Sequence, residues 1–315
     1  MESRTEAGIA KEGAEKAEIV LRIRNLSKSF GALKAVDGLD LQVHAGEVFG
    51  FLGPNGSGKS TTVGMILGLI QPTSGDIELF GLSLKHHSWE ILRRVGAIIE
   101  QPAFYPYLSG RDNLRVFAGA VGDIGADTVD GAIETVGLAQ RAHDRYSHYS
   151  LGMKQRLGIA AALLRAPDVV ILDEPTNGLD PAGTREVREL IPRLAHEGRA
   201  VLLCSHLLHE VEQVCQRVAI IKQGRILAQG PVTELLRRGE AIELRVAAVE
   251  GAISVLQELP WVPWVERDGA YIVVGVPPQQ AERVNAALAR HDIFLSELRP
   301  RQMSLESLFL ELTEA

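Results

Sequence analysis

The stretch Gly53-Pro54-Asn55-Gly56-Ser57-Gly58-Lys59-Ser60-Thr61 decides how this chain is read. It carries the spacing Gly-x4-Gly-Lys-Ser, in which glycines let the backbone curl and turn successive N–H groups inward toward an anion. Val48 to Leu52, just before it, is a short apolar run of strand type. Residues 58–69 then read as a helix, with Val63, Ile66, Leu67 and Leu69 apolar. The start of that helix adds partial positive charge at the same point. Strand, loop and helix together predict a phosphate cradle from Gly53 to Thr61. Lys59 is expected to reach β- and γ-phosphates and Ser60 to ligate Mg²⁺, with the Thr61 hydroxyl toward the α-phosphate. No Gly-x-Gly-x-x-Gly follows a strand, which disfavours a dinucleotide fold.

Working outward, Val169 to Leu172 is a second apolar run and ends in Asp173-Glu174. Carboxylates at a buried strand end are costly unless they hold a cation or hydrogen bonds. Asp173 suits Mg²⁺ through a water, and Glu174 suits the water that attacks a γ-phosphate. A third run, Ala200 to Cys204, ends in Ser205-His206, where a neutral imidazole is expected near the γ-phosphate. Val95 to Glu100 leads to Gln101, whose amide touches Mg²⁺ or water without adding charge. Continuous apolar runs alternating with helices predict an α/β fold with a largely parallel sheet buried on both faces. Ile19, Leu21 and Ile23, and again Leu39, Leu41 and Val43, alternate with polar residues and predict a small antiparallel layer. Residues 111–165 read as mostly helical, stopping before Pro167.

The 315 residues suggest two domains, at ~150 residues per domain. Cys204 and Cys215 have neither Cys-x-x-Cys spacing nor a zinc pattern, so a disulfide scaffold and a zinc module are both disfavoured and a reducing cytoplasm is expected. The net charge of −7 is concentrated late: residues 239–315 hold 6 basic and 12 acidic side chains. That balance argues against nucleic acid and against a polybasic membrane anchor. No run approaches the ~20 apolar residues of a spanning helix. Met1 to Ala17 is a polar tail without the apolar stretch of a secretory signal, so membrane contact is expected only through a partner. Beyond Arg238 the pattern changes. It reads as a strand over 242–246, a helix over 253–259, a hairpin around Asp268-Gly269, a helix over 279–290, a strand over 293–298 and a closing helix over 305–312, in the order of a split βαβ unit.

These residues resemble the ATP-binding cassette (ABC) family over about residues 18–235. Tyr149-Ser150-Leu151-Gly152-Met153 is similar to the family's Leu-Ser-Gly-Gly-Gln signature loop, with Tyr149, Leu151 and Met153 departing from it. The run from Tyr149 to Ala160 resembles the branch of bacterial exporter ATPases that includes bacitracin- and lantibiotic-type cassettes. The resemblance implies Phe30 stacking on adenine, Gln101 as the Q-loop glutamine, Asp180 as the acid of the D-loop and His206 as the switch histidine. It implies catalysis by Glu174, His206 and Gln101, and a Mg²⁺ site at Ser60, Gln101 and Asp173. It further implies that Ser150, Gly152 and Asp180 serve the ATP of a second copy, so that two cassettes sandwich two nucleotides. Leu305 to Thr313 looks like the closing helix of an accessory domain found in drug-export cassettes.

The expected fold is therefore a P-loop NTPase with an ABC-type helical subdomain (about 102–165) and an antiparallel β layer. Its expected parts are a tail (1–17), an ATP-binding domain (18–238) and a small C-terminal α+β domain (239–315). The expected function is an ATPase subunit of a drug or peptide-antibiotic exporter. It would sit at the cytoplasmic face of the plasma membrane and work with separate permease chains. A small-molecule kinase leaves Ser150 to Arg156 unexplained. A soluble cassette acting on ribosomes or DNA fits poorly with one phosphate loop and net acidity.

Overall fold

The computed structural model describes residues 18–99, 102–122, 124–237, 240–301 and 303–314. The tail expected over 1–17 and Gln101 lie outside the described residues.

The first layer is antiparallel, in the order β2 (Leu33–His44), β1 (Ile19–Phe30), β4 (Ser74–Leu79), β5 (Leu82–Ser83). β1 runs further than the alternation ending at Ile23 predicts, because register shifts near Asn25, a residue with φ of 45°, break the period of two. The Asp40 carboxylate accepts the Asn25 N–H at 2.9 Å and holds that irregularity.

The second sheet has the order β10 (Arg225–Pro231), β9 (Arg217–Lys222), β3 (Val48–Leu52), β8 (Ala200–Ser205), β7 (Val169–Asp173), β6 (Val95–Ile98). All neighbours are parallel except β10, which returns antiparallel along β9. Alternate residues of each central strand feed two cores. Phe49, Phe51, Val169, Ile171 and Leu202 face the antiparallel layer. Val48, Leu52, Val170, Leu172 and Leu203 face helices on the other side. Burial on both faces is why these strands read as unbroken apolar runs.

Helix α1 (Lys59–Ile66) follows β3 directly, and α2 (Leu84–Leu92) follows β5. Between β6 and β7 come α3 (Gly110–Val121), α4 (Ala126–Thr135) and α5 (Leu151–Leu163), with two short 3₁₀ turns. Helix α6 (Pro181–His196) links β7 to β8, α7 (Leu208–Val214) links β8 to β9, and α8 (Val232–Arg237) follows β10.

The third sheet is antiparallel in the order β12 (Val265–Asp268), β13 (Tyr271–Val274), β11 (Ala241–Val246), β14 (Leu295–Arg301). With α9 (Val249–Gln257) after β11 and α10 (Ala281–Ala289) before β14, this is the split βαβ arrangement. Its core holds Ile242, Leu244, Leu256, Ile272, Val284 and Leu288. Trp264 is not core, being 45% exposed, whereas Trp261 is partly buried with Arg283 over its ring. The closing helix α11 (Leu305–Glu314) does not join this unit's core, although its sequence position groups it there. Leu305 and Leu308, one turn apart, pack with Val211, Val214, Val232 and Leu235 beside the main sheet.

Candidate functional site

The cradle lies where β3 gives way to α1. Gly58 caps α1 with φ of 108°, and a Cβ there would stand 2.6 Å from the Ala35 carbonyl oxygen, so both conformation and space require glycine. Lys59, only 5% exposed, curls back over the loop, donating to the carbonyls of Gly53 at 2.7 Å and Pro54 at 3.3 Å. The Ser57 hydroxyl is buried and finds no hydrogen-bond partner among the described residues. Asn55 is exposed at the loop's tip, and Thr61 is half-buried in the first turn of α1.

The ends of β7 and β8 bring the acids and the imidazole to this loop. Ser60 Oγ donates to Asp173 Oδ2 at 3.2 Å. Hydroxyl and carboxylate form an all-oxygen set suited to a hard cation such as Mg²⁺, which takes few protein ligands and fills its shell with water and phosphate. Glu174 turns out of the strand with φ of 48°, its N–H donating to the Cys204 carbonyl at 2.9 Å. A non-glycine residue in that conformation marks a locally strained turn. The turn sets Glu174 between two partners: Oε1 lies 3.6 Å from Lys59 Nζ, and Oε2 lies 2.7 Å from His206 Nδ1. A carboxylate only accepts, so the ring proton of His206 in this contact sits on Nδ1. The other ring nitrogen, Nε2, is left free to face the nucleotide site.

Phe30 closes β1 at 49% exposure with Lys28 Nζ 4.9 Å from its ring centre, an open aromatic face at the edge of the antiparallel layer. Ser150 caps α5, its hydroxyl accepting the Met153 N–H at 3.2 Å. Asp180 caps α6, accepting the Gly183 N–H at 3.1 Å. A Cβ on Gly152 would stand 3.0 Å from the Gly183 Cα, so this glycine has a packing reason inside its own chain: α5 and α6 start in contact.

One part of the site escapes the sequence reading. Thr176 donates to Glu210 Oε2 on α7 at 2.6 Å, tying the segment after Glu174 to the helix after His206. No motif spacing signals it, because the two residues meet only once β7 and β8 are neighbours.

The chain matches the ABC transporter family over residues 36–177. It is 40% identical over 300 residues to an uncharacterized ABC transporter ATP-binding protein, YdbJ, of Bacillus subtilis, covering 95% of this chain and 97% of that protein. It is 39% identical over 297 residues to the bacitracin transport ATP-binding protein BcrA of Bacillus licheniformis, covering 93% of this chain and 97% of that protein. Among solved structures, cbiO1 of Clostridium perfringens, part of an ABC transporter complex, overlays with a TM-score of 0.64 at 27% identity, covering 77% of this chain and 96% of that one. No described helix is long and apolar enough to cross a membrane. With its phosphate loop, strand-end acids and likeness along nearly its whole length, the chain belongs to the ABC transporter family as an ATP-binding, ATP-hydrolysing subunit.

Proposed function

We propose that this subunit dimerises around two ATP molecules and drives export of a drug or peptide-antibiotic-like molecule through separate permease chains at the cytoplasmic face of the plasma membrane. The triphosphate lies in the loop from Gly53 to Thr61, against Lys59 and the start of α1, with adenine on Phe30. Ser60, Asp173 and Gln101 would hold Mg²⁺, which would supply charge neutralisation across the phosphates. Glu174 takes a proton from the attacking water as its oxygen bonds to the γ-phosphorus. The bond from that phosphorus to the bridging oxygen breaks, and ADP and phosphate form. His206 holds Glu174 in place through Nδ1. Ser150, Gly152 and Asp180 of a second copy close over the nucleotide. Residues 18–238 form the ATP-binding domain, with helices over about 102–165 facing the permease, and residues 239–315 form an accessory domain whose closing helix α11 packs back into the main core.

The observation that carries this reading is the position of Glu174, held between Lys59 and His206 above the phosphate loop. The export direction and substrate class rest on the likeness to a bacitracin transport protein. The test is light scattering of Glu174→Gln with ATP and Mg²⁺, together with co-purification from membranes. A nucleotide-dependent dimer that carries a polytopic membrane chain supports the reading. A monomer at saturating ATP, or a preparation without any membrane chain, overturns it.

A further inference from the structure

Helix α7 has seven residues, opens at Leu208, two residues after His206, and has no side-chain cap of its own. Isolated helices shorter than ~12 residues are marginal, so neighbours decide where such a helix lies. At its start α7 is tied to the nucleotide site twice, by His206 to Glu174 and by Glu210 to Thr176. Its inner face packs through Val211 and Val214 into the main core, so the helix is placed by what it packs against rather than by its own length. Its other tie comes from far along the chain. Glu212 Oε2 accepts the Leu305 N–H, the first of α11, at 2.9 Å. That carboxylate meets the positive end of α11, where negative charge is favoured. Ser304 accepts the Ser307 N–H at 3.1 Å, completing the start of the helix. Leu305 is fully buried and Leu308 is 8% exposed beside Val211 and Val214 of α7.

We propose that Glu212 is a positioning residue for ATP hydrolysis: by fastening α11 to α7 it holds His206 against Glu174 and places the hydrolytic rate under the control of the C-terminal segment. The proposal rests on the reading of Glu174 and His206 as the hydrolytic pair. Without the Glu212 tie the contact of α11 with α7 loosens, His206 draws away from Glu174, and the carboxylate loses its orientation while the phosphate loop is untouched.

The test compares ATP hydrolysis and ATP affinity of the full chain as wild type, Glu212→Ala, Glu212→Gln, His206→Ala, and the double variant. Glu212→Ala is expected to lower kcat about tenfold with ATP affinity unchanged, the scale of coupling carried through packed elements. Glu212→Gln keeps an oxygen for the Leu305 N–H and is expected to restore most of the rate. In the His206→Ala background, Glu212→Ala is expected to have no further effect. Wild-type kcat in Glu212→Ala, losses that multiply in the double variant, or an affinity that falls in step with kcat each overturn the proposal. Glu174→Gln separates it from the reading beneath. An inactive Glu174→Gln beside a fully active Glu212→Ala sinks only this inference, whereas an active Glu174→Gln sinks the hydrolytic pair itself.

Discussion

His206 Nδ1 stands 2.7 Å from Glu174 Oε2 and so joins the ends of two adjacent parallel strands. The pair depends on β7 and β8 ending close together, since Asp173 lies opposite Cys204, Glu174 follows at the end of β7 and His206 is the first residue past β8.

The Glu174→Gln substitution keeps the size of the side chain and an oxygen for His206 but cannot take up a proton. Turnover is expected to fall ~10²–10⁴-fold with ATP binding intact. Steady-state phosphate release and nucleotide titration measure the two separately, and a wild-type rate removes Glu174 from its role.

Two glycines in helices should respond in opposite directions to alanine. At Gly152 the new methyl meets the backbone of Gly183 at 3.0 Å, which is expected to cost ~1–3 kcal/mol. At Gly119, exposed in α3 with open space around it, the same change is expected to stabilise by ~0.5–1 kcal/mol. Urea denaturation of both variants checks the contrast, and equal shifts refute the close helix approach.

Both thiols are held in their protonated form. Burial pushes the Cys204 thiol up, with the Asp173 and Glu174 carboxylates adding to it against Lys59. Burial does the same to Cys215, with a smaller push from Glu47. The native protein is therefore expected to react with neither equivalent of a thiol reagent at mildly alkaline pH, and the denatured protein with both. Rapid native labelling contradicts their placement.

Arg111 on α3 grips Asp130 on α4 with both Nε and Nη2, at 2.6 and 2.7 Å. That hydrogen bonding holds the Asp130 carboxyl below the usual carboxylate range, against a smaller opposing effect of burial. A lowered folded-state value means the contribution is present above the ordinary carboxylate range and is lost as pH falls through the lowered one. Arg111→Gln is expected to lower Tm at neutral pH, with the gap to wild type closing in acid. A gap that does not change with pH excludes the ion pair as its source.

Much of this was legible because it is local. The phosphate loop needs one strand, one turn and one helix in sequence, and Asp173-Glu174 follows a run whose burial on both faces leaves no polar alternation. The antiparallel layer was legible only in part: the irregularity at Asn25 hides the second half of β1. The C-terminal unit showed its strand order, but its helices were misplaced by a few residues, α9 beginning at Val249 rather than Ile253. The destination of α11 was not legible, because Leu305, Leu308 and Phe309 declare an apolar face without naming what covers it. The Thr176–Glu210 bond was hidden for the same reason, as it exists only between elements 34 residues apart.

The return of α11 to the main sheet has a consequence during synthesis. Leu305 and Leu308 belong to the same core as Val48 and Leu52, so the edge of that core at α7 and α8 is not covered until the ribosome has made residues more than two hundred and fifty positions later. A nascent chain halted after Arg301 would carry a complete phosphate loop yet expose Val211, Val214, Val232 and Leu235, a surface for chaperones and proteases to find.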